Sequence, residues 1–139
     1  MKRFFKKTGR FFFDLKQKNE KEIRQSILLV DGNFILLNNF ALIIKDVREK
    51  FKNANLTVLT FKDKEGFIRD NFPDVEIIVP ENRIKSRMYQ LAIQLLLLRK
   101  NFKFIILSSL DIAPVLISLI FFRCPIILHN RYLEWYILR

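Results

Sequence analysis

The sequence contains little cysteine, histidine, glycine or proline. Its 139 residues include one Cys, one His, three Gly and four Pro. The single thiol, Cys124, forms no internal disulfide and has no partner at metal-ligand spacing, so the chain fits a reducing, cytoplasmic compartment and no metal site is predicted. One imidazole also leaves no credible Ser-His-Asp or Cys-His arrangement. With 50% hydrophobic residues, disorder is excluded for most of the chain.

Glycine-rich phosphate loops are absent as well. No Gly-x-Gly-x-x-Gly follows the first apolar run, and no Gly-x-x-x-x-Gly-Lys occurs anywhere in the sequence. Because these loops bring backbone amides against phosphate groups, their absence argues against dinucleotide and P-loop nucleotide sites. No cofactor is predicted.

Positive charge is abundant and concentrated at the N terminus. Lys and Arg outnumber Asp and Glu by 25 to 14, and residues 1–25 hold nine of the cations and three of the acids, a net +6. On a helical wheel the apolar residues of this segment fall within an arc of about 120°. The pattern predicts a basic amphipathic helix that binds an anionic membrane surface. The residues predicted to contact lipid are Lys2, Arg3, Phe4, Phe5, Lys6, Lys7, Phe11 and Phe12.

Alternatives remain for this helix. Its Phe stripe can also pack on another domain or subunit. Phenylalanines among lysines can stack on single-stranded bases, but no nucleic-acid-binding module is recognisable, so no nucleic-acid partner is predicted. Lysines interrupt the apolar residues and no cleavage site follows, which argues against a secretory signal.

From residue 26 onward, short apolar runs alternate with longer amphipathic segments. This alternation predicts a Rossmann-like α/β domain over residues 26–139, a three-layer α/β/α sandwich with a five-stranded parallel sheet of order 3-2-1-4-5. The end of the chain, from Tyr136, is expected to enter another helix. The predicted strands are 27–30, 56–61, 75–79, 104–107 and 126–128, and the predicted helices 34–51, 64–71, 84–100 and 112–122.

One stretch, residues 104–122, is 19 residues long and apolar enough to suggest a membrane span instead. Asp111 and Pro114 argue against this alternative of an integral membrane protein. An aspartate near the bilayer centre costs about 2.5–3.5 kcal/mol, whereas Asp111 as a helix N-cap with Pro114 in the first turn is ordinary for a globular fold.

Two polar loops follow predicted strands at the point where the winding of the sheet reverses. In open parallel sheets, ligands bind in the crevice at that point, here between strands one and four. A third loop flanks the same edge and adds an imidazole and a guanidinium. Asp31 is the candidate catalytic base, with a ribose ligand and a turn-forming aspartate as the alternatives, while Asn33 and Asp111 can also simply cap helices. The predicted substrate-binding residues are Gly32, Asn33, Ser108, Ser109, Asp111, His129, Asn130 and Arg131.

The region 26–109 resembles the N-terminal half of heptosyltransferase-like glycosyltransferases, which have two Rossmann-like domains in the glycosyltransferase B architecture. The matching segments are ILLV at 27–30, IIKDVREKFKNANLTVL at 43–59, NFPDVEII at 71–78 and LRKNFKFII at 98–106. The family's Arg-x-Asp-x-x-Gly-Asp loop is replaced here by DGNFIL at 31–36.

The resemblance implies transfer of a sugar from a nucleotide-sugar to a lipid-linked or envelope glycan acceptor, at the cytoplasmic face of the membrane. In that family the donor is bound mainly by a second domain, so this chain is expected to need a second domain or subunit for catalysis. The alternative is a non-catalytic Rossmann-like binding or scaffold module whose polar loops recognise a small anion or a protein.

Overall fold

The computed structural model describes residues 26–80, 85–98, 101–130 and 132–139. The helix predicted over residues 1–25, with its lipid-binding side chains, lies outside the described residues. The strands of the described part are β1 (Ser26–Val30), β2 (Asn55–Leu59), β3 (Glu76–Ile78), β4 (Phe104–Leu107), β5 (Ile126–His129) and β6 (Trp135–Ile137). Its helices are α1 (Leu37–Lys50), α2 (Lys62–Asn71), α3 (Arg87–Leu97) and α4 (Ile112–Phe121).

The strands form a mixed sheet of order β3-β2-β1-β4-β5-β6. The pairs β1·β2, β1·β4, β2·β3 and β4·β5 are parallel, and β6 runs antiparallel to β5. The α/β class with a mainly parallel sheet is therefore confirmed. The predicted count of five strands is wrong, and the full order differs from the predicted one because a sixth strand extends the sheet beyond β5.

Helices cover both faces of the sheet, which explains why the central strands read as uninterrupted apolar runs. One core contains the inward side chains of α1 and Ile68 of α2, and the other contains Leu91 and Leu95 of α3. Alternate residues of β1 enter the two cores, Ile27 and Leu29 on the first side and Leu28 and Val30 on the second. All four are at most 1% exposed, so β1 is the centre of the fold.

The C-terminal segment is a strand, where a helix was expected. Asn130 begins a tight connection in which its side-chain Oδ1 accepts the backbone N–H groups of Tyr132 and Glu134. Leu133 takes a left-handed conformation with φ 58°. The connection turns Trp135 onto His129, with ring centroids 3.6 Å apart. Between β5 and β6 the sequence carries no Asn-Gly or Asp-Gly pair of the kind that marks a two-residue hairpin, so this turn was not predictable from such a pair.

The apolar stretch 104–122 is divided between β4 and α4, which a polar loop separates. Within the described ranges, no helix combines the length and the apolar character needed to cross a bilayer.

Trp135 gives a test of the role of β6 in stability. It is 7% exposed and lies edge-on to Phe51 with centroids 6.4 Å apart, besides stacking on His129. Trp135→Ala is expected to lower the free energy of unfolding by about 3–5 kcal/mol, because it opens a cavity in the first core. Urea denaturation measures the change. Tyr89→Ala, at a 53% exposed position, is the control and should cost no more than about 0.5 kcal/mol.

Candidate functional site

The carboxyl ends of β1 and β4 lie side by side, as the sequence predicts. Val30 is in register with Leu107, and the backbone N–H of Ser108 donates to the Val30 carbonyl at 3.1 Å. From this point the chain after β1 passes to one face of the sheet and the chain after β4 to the other, as their helices join opposite cores. The two loops diverge there and leave a crevice between them.

Asp111 joins the two loops. Its Oδ2 accepts the backbone N–H of Asn33 at 2.8 Å and the hydroxyl of Ser109 at 2.8 Å. Gly32 permits this close approach, since a Cβ at that position would lie 2.5 Å from Ser109 Oγ. Asp111 precedes α4 but its side chain makes no capping hydrogen bond, and α1 begins only at Leu37, so neither Asp111 nor Asn33 serves as a side-chain cap.

A cleft of about 290 Å³ opens beside these loops. Its polar groups are hydroxyls, one carboxylate and one carboxamide. Two aromatic side chains stand at its rim, Phe34 at 87% and Tyr132 at 67% exposure. No described lining residue is cationic, so the cleft suits a neutral hydroxylated ligand better than a phosphate. The lining residues are Phe34, Ile35, Ser108, Ser109, Leu110, Asp111, Leu128, Asn130 and Tyr132.

Asp31, the candidate catalytic base, does not line this cleft. Its carboxylate is buried against Lys64, whose Nζ lies 2.8 Å from Oδ2 and 3.1 Å from Oδ1. The hydroxyl of Thr60 and the backbone N–H of Gly32 donate to the same carboxylate, at 2.8 and 2.7 Å. The Lys64 ammonium also donates to the Ile35 carbonyl at 2.5 Å. Both oxygens of the Asp31 carboxylate thus accept hydrogen bonds from groups within the fold.

Burial raises the pKa of Asp31, and the charge of Lys64 with the hydrogen bonds from Lys64, Thr60 and Gly32 opposes that rise. The side chains of the pair are 5% and 0% exposed. In this structure the Asp31 carboxyl is buried outside the lining of the cleft, and its contacts are those of a buried ion pair.

His129, a predicted substrate-binding residue, points away from the cleft and is fully buried. Its Nδ1 lies 3.1 Å from the Glu134 carbonyl oxygen, and its Nε2 lies 2.8 Å from Oδ2 of Asp46 on α1. The approach of Asp46 is too poorly aligned for a hydrogen bond, and no other described group bonds Nε2. Burial lowers the pKa of His129, against the opposing effects of Glu134 and Asp46.

The remaining predicted residues divide into two groups. Ser108, Ser109, Asp111 and Asn130 line the cleft, with Gly32 and Asn33 directly behind it. Arg131 lies outside the described residues. Sequence patterns did not indicate a role for Lys64 and Thr60, which lie 33 and 29 positions from Asp31, or for Tyr132. An aromatic side chain following a polar loop was the one available signal for Tyr132.

A second cavity, of about 390 Å³, lies at the opposite edge of the sheet, where β1 and β2 begin. Ile27 and Leu56 line it, together with Arg48 and Asp74, which form a salt bridge at 2.8 Å. It is larger than the cleft, but it is at the amino ends of the strands, where parallel sheets do not bind ligands. We therefore assign the candidate site to the smaller cleft.

Comparisons of the chain with protein-family models, with curated proteins and with solved structures found no match.

The pair Asp31–Lys64 generates a prediction about stability. Lys64→Met leaves a buried carboxylate without its counter-ion and is expected to lower the free energy of unfolding by about 3–5 kcal/mol. The double variant Asp31→Asn/Lys64→Met should recover a large part of the loss, because the neutral amide still accepts from Thr60. Denaturant titrations of the wild type, both single variants and the double variant measure the coupling. Additive losses would contradict the pairing.

The chain has one histidine, so its contribution to pH dependence can be isolated. The pKa of His129 is lowered from 6.5, so the folded state resists protonation more than the unfolded state does. The contribution of His129 to the free energy of unfolding is expected to be constant above pH 6.5. Below pH 6.5 it should fall by at most about 1.4 kcal/mol per pH unit. The loss levels off once the pH is below the folded-state pKa.

The measurement is the difference between the wild type and His129→Gln in urea denaturation at a series of pH values. The difference cancels the titration of carboxyl groups, including Asp31, that both proteins share and that do not contact residue 129. If the difference in the free energy of unfolding does not change around pH 6.5, or if it increases as the pH falls, the lowered pKa of His129 is contradicted.

Proposed function

We propose that the chain is a carbohydrate-binding half domain of a glycosyl-transfer system, and that the cleft between the β1 and β4 loops holds a hydroxylated sugar. The observation that carries the proposal is the composition of the cleft. Hydroxyl, carboxylate and carboxamide groups converge between exposed aromatic side chains, and no described cation is present.

The hydrogen-bonding groups match the donors and acceptors of a sugar ring. Among the described residues, hydrogen bonds reach only Oδ2 of Asp111, so Oδ1 has acceptor capacity for a sugar hydroxyl. The carboxamide of Asn130 and the hydroxyl of Ser109 border the same space. Phe34 and Tyr132 offer apolar surfaces for the C–H face of a sugar ring. Hydrogen bonds to a charged group are the stronger ones, which makes Asp111 the principal anchor.

Sugar transfer needs more than this cleft. The donor and acceptor must be enclosed in a site that excludes water, whereas the described residues of this chain line only one side of such an enclosure. In the proposed role, the chain binds the glycan acceptor, with Asp111 orienting its hydroxyl, and a second domain or subunit supplies the nucleotide-sugar. The setting proposed for this reaction is the cytoplasmic face of a membrane. The order of the parallel strands and the position of the cleft support the glycosyltransferase-like interpretation.

A second candidate is a non-catalytic sugar-binding module. The observation that favours it is the engagement of Asp31 with Lys64, which leaves Asp111 as the single carboxylate among the described cleft residues. The two candidates share the ligand and differ in whether transfer occurs.

The ligand is tested by following backbone amide resonances while monosaccharides, nucleotide-sugars and free nucleotides are added to the full chain. Saturable shifts are expected at Asn33 and Ser109 with monosaccharides and nucleotide-sugars, which carry a glycosyl group, and not with free nucleotides. Asp111→Ala should weaken this binding by about tenfold or more, because a hydrogen bond to a charged group is lost. Asp70→Ala, which removes an exposed carboxylate on α2, is the matched control and should not change the affinity.

Three outcomes would contradict the sugar site: no saturable shift, shifts confined to the amino edge of the sheet, or equal affinity in Asp111→Ala and the wild type. Transfer to an acceptor when a donor-binding partner is added distinguishes the enzyme from the binding module, which would bind the sugar and transfer nothing.

A further inference from the structure

The outer surfaces of the two helix layers differ in chemistry. α1 and α2 present mixed charges, including Lys45, Glu49, Arg69 and Asp70, all exposed. By contrast, the 21 residues of α3 and α4 contain one charged side chain, Arg87 at the start of α3. A polar outer helix face is well solvated by water, whereas the outer face of α3 and α4 has few polar groups for water to solvate.

Large apolar side chains are exposed along both of these helices. In α4, Ile112, Leu116 and Ile120 repeat at a spacing of four residues and are 71%, 50% and 68% exposed. The helices α3 and α4 contact each other, so their exposed residues form one surface. We call this surface the α3–α4 face. It consists of Tyr89, Ile93, Leu96, Leu97, Ile112, Leu116, Ile120 and Phe121, each at least 40% exposed.

Cations without acids surround one end of the α3–α4 face. The Arg139 guanidinium donates to the carbonyls of Leu119, Phe122 and Cys124, which places it at the C-terminal end of α4. Arg123 follows α4 directly and is exposed. Lys103 lies at the same edge of the sheet, where its backbone N–H donates to the Ser26 carbonyl at 2.8 Å.

The acidic residues of this half of the molecule are elsewhere. From residue 85 onward, the described acids are Asp111 and Glu134. Asp111 is bound in the cleft, and Glu134 accepts from the Tyr136 hydroxyl at 3.0 Å in the β5–β6 connection. Both lie toward the carboxyl edge of the sheet. We call the edge that carries Lys103, Arg123 and Arg139 the basic edge. β1 begins at Ser26 on this edge, and the residues that precede it in the sequence, 1–25, have a net charge of +6.

We propose that the α3–α4 face lies on an anionic lipid bilayer, with its apolar side chains at the headgroup boundary and the basic edge against lipid phosphates. Contiguous exposed apolar surface marks an interaction site. A protein partner or a second copy would cover the apolar side chains, but the cations of the basic edge, where no described acid from residue 85 onward lies, favour a surface that is anionic throughout. This inference does not depend on the sugar site, which lies at the other edge of the sheet.

The test is co-sedimentation of the full chain with phosphatidylcholine vesicles that contain phosphatidylglycerol. Leu116→Glu/Ile120→Glu should weaken binding by about tenfold or more, because two apolar side chains no longer enter the boundary region. The control is Leu42→Glu/Phe67→Glu, at positions of 51% and 41% exposure on the opposite helix layer. It changes the net charge equally and should leave binding within about twofold, since exposed positions away from the contact have small effects.

Equal losses in the two double variants would overturn the proposal, because net charge alone would then explain binding. Failure of the wild-type chain to bind these vesicles would also overturn it. So would a self-associated species, seen by analytical ultracentrifugation, that Leu116→Glu/Ile120→Glu dissociates while vesicle binding is unchanged.

A second measurement covers the case in which the glutamate variants fold poorly. An environment-sensitive fluorophore is attached to Ile120→Cys or to Leu42→Cys, each in a Cys124→Ser background, which leaves one thiol. On addition of anionic vesicles, the emission of the label at 120 should shift to the blue while the label at 42 stays unchanged. A shift at both positions, or at 42 alone, would place the bilayer elsewhere and reject the α3–α4 face.

Discussion

The buried contact between Asp31 and Lys64 fixes the carboxyl edge of the sheet. Asp31 follows β1, Thr60 follows β2, and Lys64 lies in the first turn of α2, so one carboxylate joins three parts of the chain. Lys64 also reaches the Ile35 carbonyl, which fixes the loop that leads into α1. Removing two charges from water is costly, and the geometry here offsets that cost only because every partner is in place. The position of this loop in turn determines where Asn33 meets Asp111.

The same contact shows what could and could not be predicted from the sequence. The apolar runs and the segments between them were sufficient to predict the parallel strands, their helices and the edge at which the cleft lies. They were not sufficient to say what Asp31 does, because an aspartate after a strand looks the same whether it faces a ligand or a lysine from a later helix. The pairing is decided by tertiary structure, across 33 positions of sequence. From a residue's type and its position after a strand, one can therefore predict the edge of the sheet at which it lies. The direction of its side chain is predicted less securely.

The C-terminal segment was missed for a related reason. Trp135, Tyr136 and Ile137 suit a strand as well as a helix, and their conformation is decided by Asn130, whose side chain orders the turn, and by the stacking of Trp135 on His129. His129 was in turn assigned to the cleft because it follows a strand, whereas its ring packs toward α1. The proposed sugar and the proposed lipid surface would contact different residues, those of the cleft and those of the α3–α4 face, so both could be bound at once.

The sheet ends in three-residue strands on both sides, β3 at one edge and β6 at the other. Short edge strands offer few unpaired backbone groups to another chain, and Pro80, shortly after β3, lacks an amide proton altogether. Growth of the sheet from molecule to molecule is thereby discouraged at each end. The α3–α4 face exposes a large apolar surface, but the two edges of the sheet give a neighbouring molecule few backbone groups to pair with, which opposes amyloid-like stacking of these strands.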